Sequence, residues 1–154
     1  MSDTAQNSAS SGGKLRVVIG TDHRGTSAGD YVRRTLERLG HDSYIINACE
    51  GSCDYPEQAY LVGEQINSGQ AQRGVLICGT GIGMSIAANK IHGLRAALVH
   101  DELTAQLSRS HNDANVLCLG SRIIGSERAK DALREFLKTE FEGGRHKKRV
   151  EKMG

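Results

Sequence analysis

Cys78 closes an apolar run, GVLIC, and is followed at once by GTGIG, Gly79 to Gly83, and then by a helical pattern. A thiol at the mouth of such a loop suits proton or nucleophile chemistry. Glycines at alternate positions leave backbone N–H groups without side-chain obstruction, and such groups hold an oxyanion or an enediolate. A helix starting near Ile82 would favour the thiolate through its dipole, so Cys78 could act as base or nucleophile. The plain alternatives are a buried small hydrophobe and a tight strand-to-helix turn. The loop is not a dinucleotide fingerprint, because it is G-x-G-x-G after a third strand, and the lysine and hydroxyl of a P-loop are absent.

Two further groups carry chemistry. His111 stands among Asn112, Asp113 and Asn115, hydrogen-bonding side chains able to fix a ring tautomer, or else members of a polar turn. Arg145 and Arg149 are four residues apart, so on a helix both would project from one face and could close on one phosphate. RHKKR reads equally as a solvated face or a basic patch for nucleic acid. With two Phe, four Tyr, no Trp and a net charge of +2, the chain lacks the aromatic platform and basic stripe of a single-strand binder. His41 and His92 read as surface turn residues, and His100 as a ligand or a cap.

The elements that must position these groups follow from periodicity. Short β-branched runs at Arg16 to Gly20, Ser43 to Ile46, Gly74 to Cys78, Arg95 to Val99 and Asn115 to Leu119 alternate with helical patterns. The helices are expected over Thr26 to Leu39, Glu57 to Asn67, Ile82 to Lys90, Glu102 to Arg109 and Ser126 to Phe141. This alternation predicts a Rossmann-like three-layer α/β/α sandwich around a five-stranded parallel sheet. Ligands of such sheets sit beyond the carboxyl ends of the strands. Asp22 and His23, Cys78 with its loop, His100 and Asp101, and Arg122 all fall just after a strand, and His111 just before the fifth.

Residues 1–13 read as a disordered leader, 14–154 as one domain, and RHKKRVEKMG as a short terminal helix or a flexible basic tail. No apolar run reaches the roughly 18 residues of a membrane helix and no secretory signal is visible, so the expected location is the cytoplasm. The four cysteines, Cys49, Cys53, Cys78 and Cys118, show no metal-site spacing and read as free thiols.

TDHRG, DYP at Asp54 to Pro56, RGVLICGTGIGMSIAANK, LRAALVHDELTAQLSRSHNDANVLCLGSRIIG and FLKTEFEGGRHKKRVEKM together resemble the type B ribose 5-phosphate isomerase family, from about Leu15 to Met153. The resemblance implies an aldose–ketose isomerase working through a cis-enediolate without metal or organic cofactor. It casts Cys78 as the base between C2 and C1, and Thr80 with the Gly79, Gly81, Ile82 and Gly83 loop as the enediolate's support. His111 would open the furanose ring with Asn112 beside it, and Asp22 and Tyr55 would contact the sugar. His23, Arg122, Arg145 and Arg149 would hold the phosphate. The resemblance also implies a homodimer or dimer of dimers with sites shared between subunits, and the charge balance suggests no nucleic-acid or membrane partner. Six-carbon sugar phosphates, allose or galactose 6-phosphate, and a non-catalytic sugar-phosphate sensor are the alternative readings. DHRGTSAGDYVRRTL and NACEGSC depart from the family's commoner loops, which bears on substrate chain length and leaves Cys78 untouched.

Overall fold

The computed structural model describes residues 13–22, 26–46 and 54–154. The expected leader, apart from Gly13, therefore lies outside the described residues, as do His23, Arg24, Cys49 and Cys53. Five strands form one parallel sheet: β1 (Arg16–Thr21), β2 (Asp42–Ile45), β3 (Arg73–Cys78), β4 (Ala96–Leu98) and β5 (Val116–Gly120). Between and after them run α1 (Thr26–Arg38), α2 (Tyr55–Asn67), α3 (Ile82–Ala88), α4 (Glu102–Ser110), α5 (Ser126–Lys138) and α6 (Arg145–Met153). The sandwich expected from the alternation is the fold observed.

The strand order is β2-β1-β3-β5-β4. Alternate residues of each central strand feed opposite faces. Val17, Ile19, Val75, Ile77, Leu117 and Leu119 pack with α1 and α5 residues, including Leu36, Leu133 and Phe136. Val18, Leu76, Cys78, Val116 and Cys118 pack with α2 and α3 residues, including Val62 and Met84. A strand buried on both faces has to be apolar throughout, as GVLIC and VLCLG are. The helices need one apolar stripe only. In α5 that stripe is Ala129, Ala132, Leu133, Phe136 and Leu137, the helical spacing of a half-buried surface. No helix of the described residues is long and apolar enough to cross a membrane.

Element ends depart from periodicity where a side chain finds a better partner. The helix expected to reach Lys90 stops at Ala88, because the Asn89 amide pairs with both backbone groups of Ala96, accepting at 2.8 Å and donating at 2.9 Å. The helix expected to reach Phe141 stops at Lys138, where Thr139 turns extended and its carbonyl accepts from the Arg109 Nε at 3.1 Å. His41 is half-buried and tied down, its Nδ1 accepting the Leu15 N–H at 3.0 Å, so it is a structural residue more than a surface one. Asp101, not His100, caps α4, its carboxylate accepting from the Thr104 N–H at 2.8 Å, and that bond lowers the Asp101 pKa.

Close approach at the sheet's carboxyl edge depends on a missing side chain. Cys78 is the register partner of Gly120, and a Cβ on Gly120 would lie 2.5 Å from the Thr80 carbonyl atoms. Only glycine lets the loop after β3 fold down over the end of β5. Gly120→Ala therefore forces the loop away, and we expect it to lower stability by about 1–3 kcal/mol, the usual range for overpacking, read as a lower urea midpoint at unchanged m.

Candidate active site

The chain's strand order reverses direction between β1 and β3, the place where open parallel sheets hold ligands. Asp22 follows β1 there, half-buried, with its N–H donated to the Ile77 carbonyl at 3.2 Å. Cys78 ends β3 and is buried, 6% exposed. Its Sγ accepts the Gly81 N–H at 3.2 Å. Gly81 has φ +80, and a Cβ there would meet Leu98 at 2.6 Å, so both conformation and space require glycine. Thr80 is exposed, and its hydroxyl accepts the Ile82 N–H at 3.2 Å.

Three neighbours close around this loop. Ser121 and Arg122 donate their N–H groups to the Cys78 and Gly79 carbonyls at 2.9 and 3.0 Å, stitching the turn after β5 to the loop. The Arg122 side chain crosses Gly79, with its Cδ 3.8 Å from where a Cβ would be. Tyr55, the first residue of α2, lays its ring over Gly83 so closely that a Cβ would lie 2.5 Å from the ring. Asp22, Tyr55, Cys78, the Gly79 to Gly83 loop with exposed Ile82, and Arg122 thus share the carboxyl end of the sheet. His23 lies outside the described residues.

Cys118 is the contrasting thiol. It is fully buried on β5, and burial first, then the neighbouring Cys78, pushes its pKa up strongly. It is packing, as its place within NVLCLG suggests.

His111 belongs to a second group. It caps α4, donating its N–H to Leu107 at 2.9 Å, and its half-buried ring stacks on His146 with centroids 4.2 Å apart and planes 13° from parallel. Asn112 beside it is exposed. The turn is held from below. Arg109, 2% exposed, donates to Asp113 Oδ1 at 2.8 Å and to the Ala114 carbonyl at 2.7 Å, and Arg95 donates to the Asp113 carbonyl at 2.8 Å. Asp113 has φ +50, a left-handed conformation that these two arginines hold in place.

The tail is a helix. In α6 Arg145 and Arg149 are exposed one turn apart, and His146 is the one buried residue. Its ring Nε2 is fully buried without a hydrogen bond among the described residues, and the Glu142 carboxylate lies 3.5 Å away. Burial, then His111 and Arg145, lower the His146 pKa, with Glu142 opposing. Ligand atoms of His111, Glu142 and His146 lie within 4.8 Å of one another. The rings are nearly parallel, so their in-plane lone pairs do not converge on one ion at the 2.0–2.1 Å that zinc needs from each.

Sequence reasoning missed Glu142 and His146. Inside GGRHKKR a histidine looks like part of a solvated run, and the only signal is the glycine pair that turns α6 back. The ribose/galactose isomerase model matches residues 17–153. The chain belongs to that family. A D-erythrulose-4-phosphate isomerase of Pectobacterium atrosepticum is 41% identical over 142 residues, 91% of this chain and 93% of its own. Ribose-5-phosphate isomerase B of Escherichia coli K12 is 51% identical over 98 residues, 64% of this chain and 66% of its own. The solved type B ribose 5-phosphate isomerase of Trypanosoma brucei superposes with a TM-score of 0.87 at 41% identity, covering 91% of this chain and 97% of that one. Membership of the ribose/galactose isomerase family makes this chain a sugar phosphate isomerase.

The buried His146 gives a pH test of the second group. A base whose pKa is lower folded than unfolded binds fewer protons when folded, so stability falls as the pH drops below the ordinary 6.5. His146→Phe should flatten that part of the curve, measured as urea midpoints between pH 5 and pH 8.

Proposed function

We propose that this isomerase interconverts ribose 5-phosphate and ribulose 5-phosphate. The observation that carries the reading is Cys78, its sulfur aimed at the Gly81 N–H within a glycine loop at the strand-order reversal. His111 would take the proton of the C1 hydroxyl and give one to the ring oxygen, opening the furanose. Cys78 as thiolate would then remove the C2 proton, and the electron pair moves into a C1–C2 enediolate stabilised by loop N–H groups and the Thr80 hydroxyl. Return of that proton to C1, with the O2 proton passed to O1, leaves the ketose. Asp22 and Tyr55 would orient the hydroxyls. Arg122, Arg145, Arg149 and His23 would clamp the phosphate, supplying orientation for a small flexible substrate.

A second substrate has specific support. The Pectobacterium relative acts by name on D-erythrulose 4-phosphate and covers nearly the whole chain. Assay of ribose 5-phosphate, D-erythrulose 4-phosphate and allose 6-phosphate in chelator-treated buffer separates the readings. We expect ribose 5-phosphate to give the highest kcat/KM, and Cys78→Ala to lose at least about a hundredfold in kcat. A wild-type preference for another phosphate would overturn the substrate, and an active variant would overturn the base.

We also propose a homodimer whose sites draw on both subunits. Ile82 and Ile86 of α3 are 51% and 57% exposed beside the loop, and α6 buries a single residue against its own chain. Apolar residues so placed favour cover by a second copy. If Cys78 of one subunit works with His111 of its partner, inactive Cys78→Ala and His111→Ala chains should complement each other. Refolded together at equal amounts they should regain about a quarter of wild-type activity, one intact site in each mixed dimer. No recovery would place both residues in one subunit's site.

A further inference from the structure

A ring-opening imidazole has an unusual positioning problem. It must take a proton at one oxygen and deliver one at another, and where the two ring nitrogens divide that work a hydrogen bond to either would fix the ring while occupying an atom the reaction needs. A face contact fixes the plane and leaves both nitrogens free. His111 has such a contact in the His146 ring, 4.2 Å away and 13° from parallel.

His146 is built to stay where it is. It is the one buried residue of α6, and its backbone N–H donates to the Gly143 carbonyl at 2.9 Å. Glu142 lies 3.5 Å from its Nε2, and the Glu142 N–H is donated to the Ser110 carbonyl at 3.0 Å, one residue before His111. Both rings are therefore anchored to the same end of α4. The Nε2 is fully buried, so it cannot reach a phosphate as its neighbours Arg145 and Arg149 can.

We infer that His146 is a positioning residue for His111, a flat platform that sets the plane of the ring-opening imidazole without using either of its nitrogens. This rests on the role proposed for His111. A platform acts through shape, so an aromatic ring without nitrogen should replace it and a methyl group should not. It also acts on ring opening alone. Ribulose 5-phosphate cannot close a furanose, because its O5 carries the phosphate, and its proton exchange at C1 needs the thiolate base but no ring opening.

The experiment compares wild type, His146→Ala and His146→Phe by three readouts: kcat and KM on ribose 5-phosphate, solvent-deuterium exchange into C1 of ribulose 5-phosphate, and the NMR signals of the His111 ring. We expect His146→Ala to lose about tenfold or more in kcat with KM within about twofold, while exchange stays within about threefold of wild type. His146→Phe should recover most of the loss. The His111 ring signals should be sharp in wild type and His146→Phe and broadened in His146→Ala. Exchange falling in step with kcat would overturn the proposal, since the defect would then lie at the enediolate or in the fold. A raised KM at unchanged kcat would make His146 a substrate contact, and His146→Phe as poor as His146→Ala would make its nitrogens matter; either overturns the platform. A wild type inactive on ribose 5-phosphate would instead sink the substrate reading, and the ring signals would still decide whether His146 holds His111.

Discussion

Two parallel strands that end side by side, one in a thiol and the other in no side chain at all, set the geometry of the carboxyl edge. Gly120 opposite Cys78 leaves room for the Thr80 backbone, and the next two N–H groups, of Ser121 and Arg122, bond back to Cys78 and Gly79. The glycine loop is thereby fastened to β5 as well as to its own strand. Gly81 can then turn with positive φ and point its N–H at the sulfur. Preorganised donors of this kind keep their orientation during reaction, which is where their electrostatic value lies.

Much of the fold was legible because a parallel sheet buried on both faces has a strong sequence signature. GVLIC and VLCLG can hardly be anything but central strands, and the stripe of α5 follows the helical period. What sequence could not give were the element ends set by distant partners. Asn89 pairs with Ala96, and Arg109 reaches Thr139, contacts that no local window contains. The C-terminal tail, open between helix and coil in the sequence, is a helix anchored through His146.

The candidate site divides the same way. Asp22, Cys78 with its loop and Arg122 were visible because each follows a strand and topology brings strand ends together, whereas Tyr55, at the start of α2, was visible only through the family resemblance. The second group was half visible. His111 stood out among its polar neighbours, whereas His146, 35 positions away, carries no pattern that pairs it with His111. Asp113 looked like an ordinary turn residue. Its left-handed backbone and its grip by Arg95 and Arg109 are tertiary facts.

The placement of the two groups distributes local stability unevenly over the proposed machinery. Cys78 ends a central strand of the sheet, paired on both sides and buried on both faces. Arg145 and Arg149 ride on a helix of nine residues that buries only His146 against its own chain, so the place of that helix depends on the His111–His146 stack and on the cover proposed from a second copy. The proposed base is thus held by the sheet, and the proposed phosphate clamp by the same helix that carries the His146 ring. Loss of that helix would cost the proposed clamp and the His111 platform together, while the Cys78 loop would keep its bonds to β5.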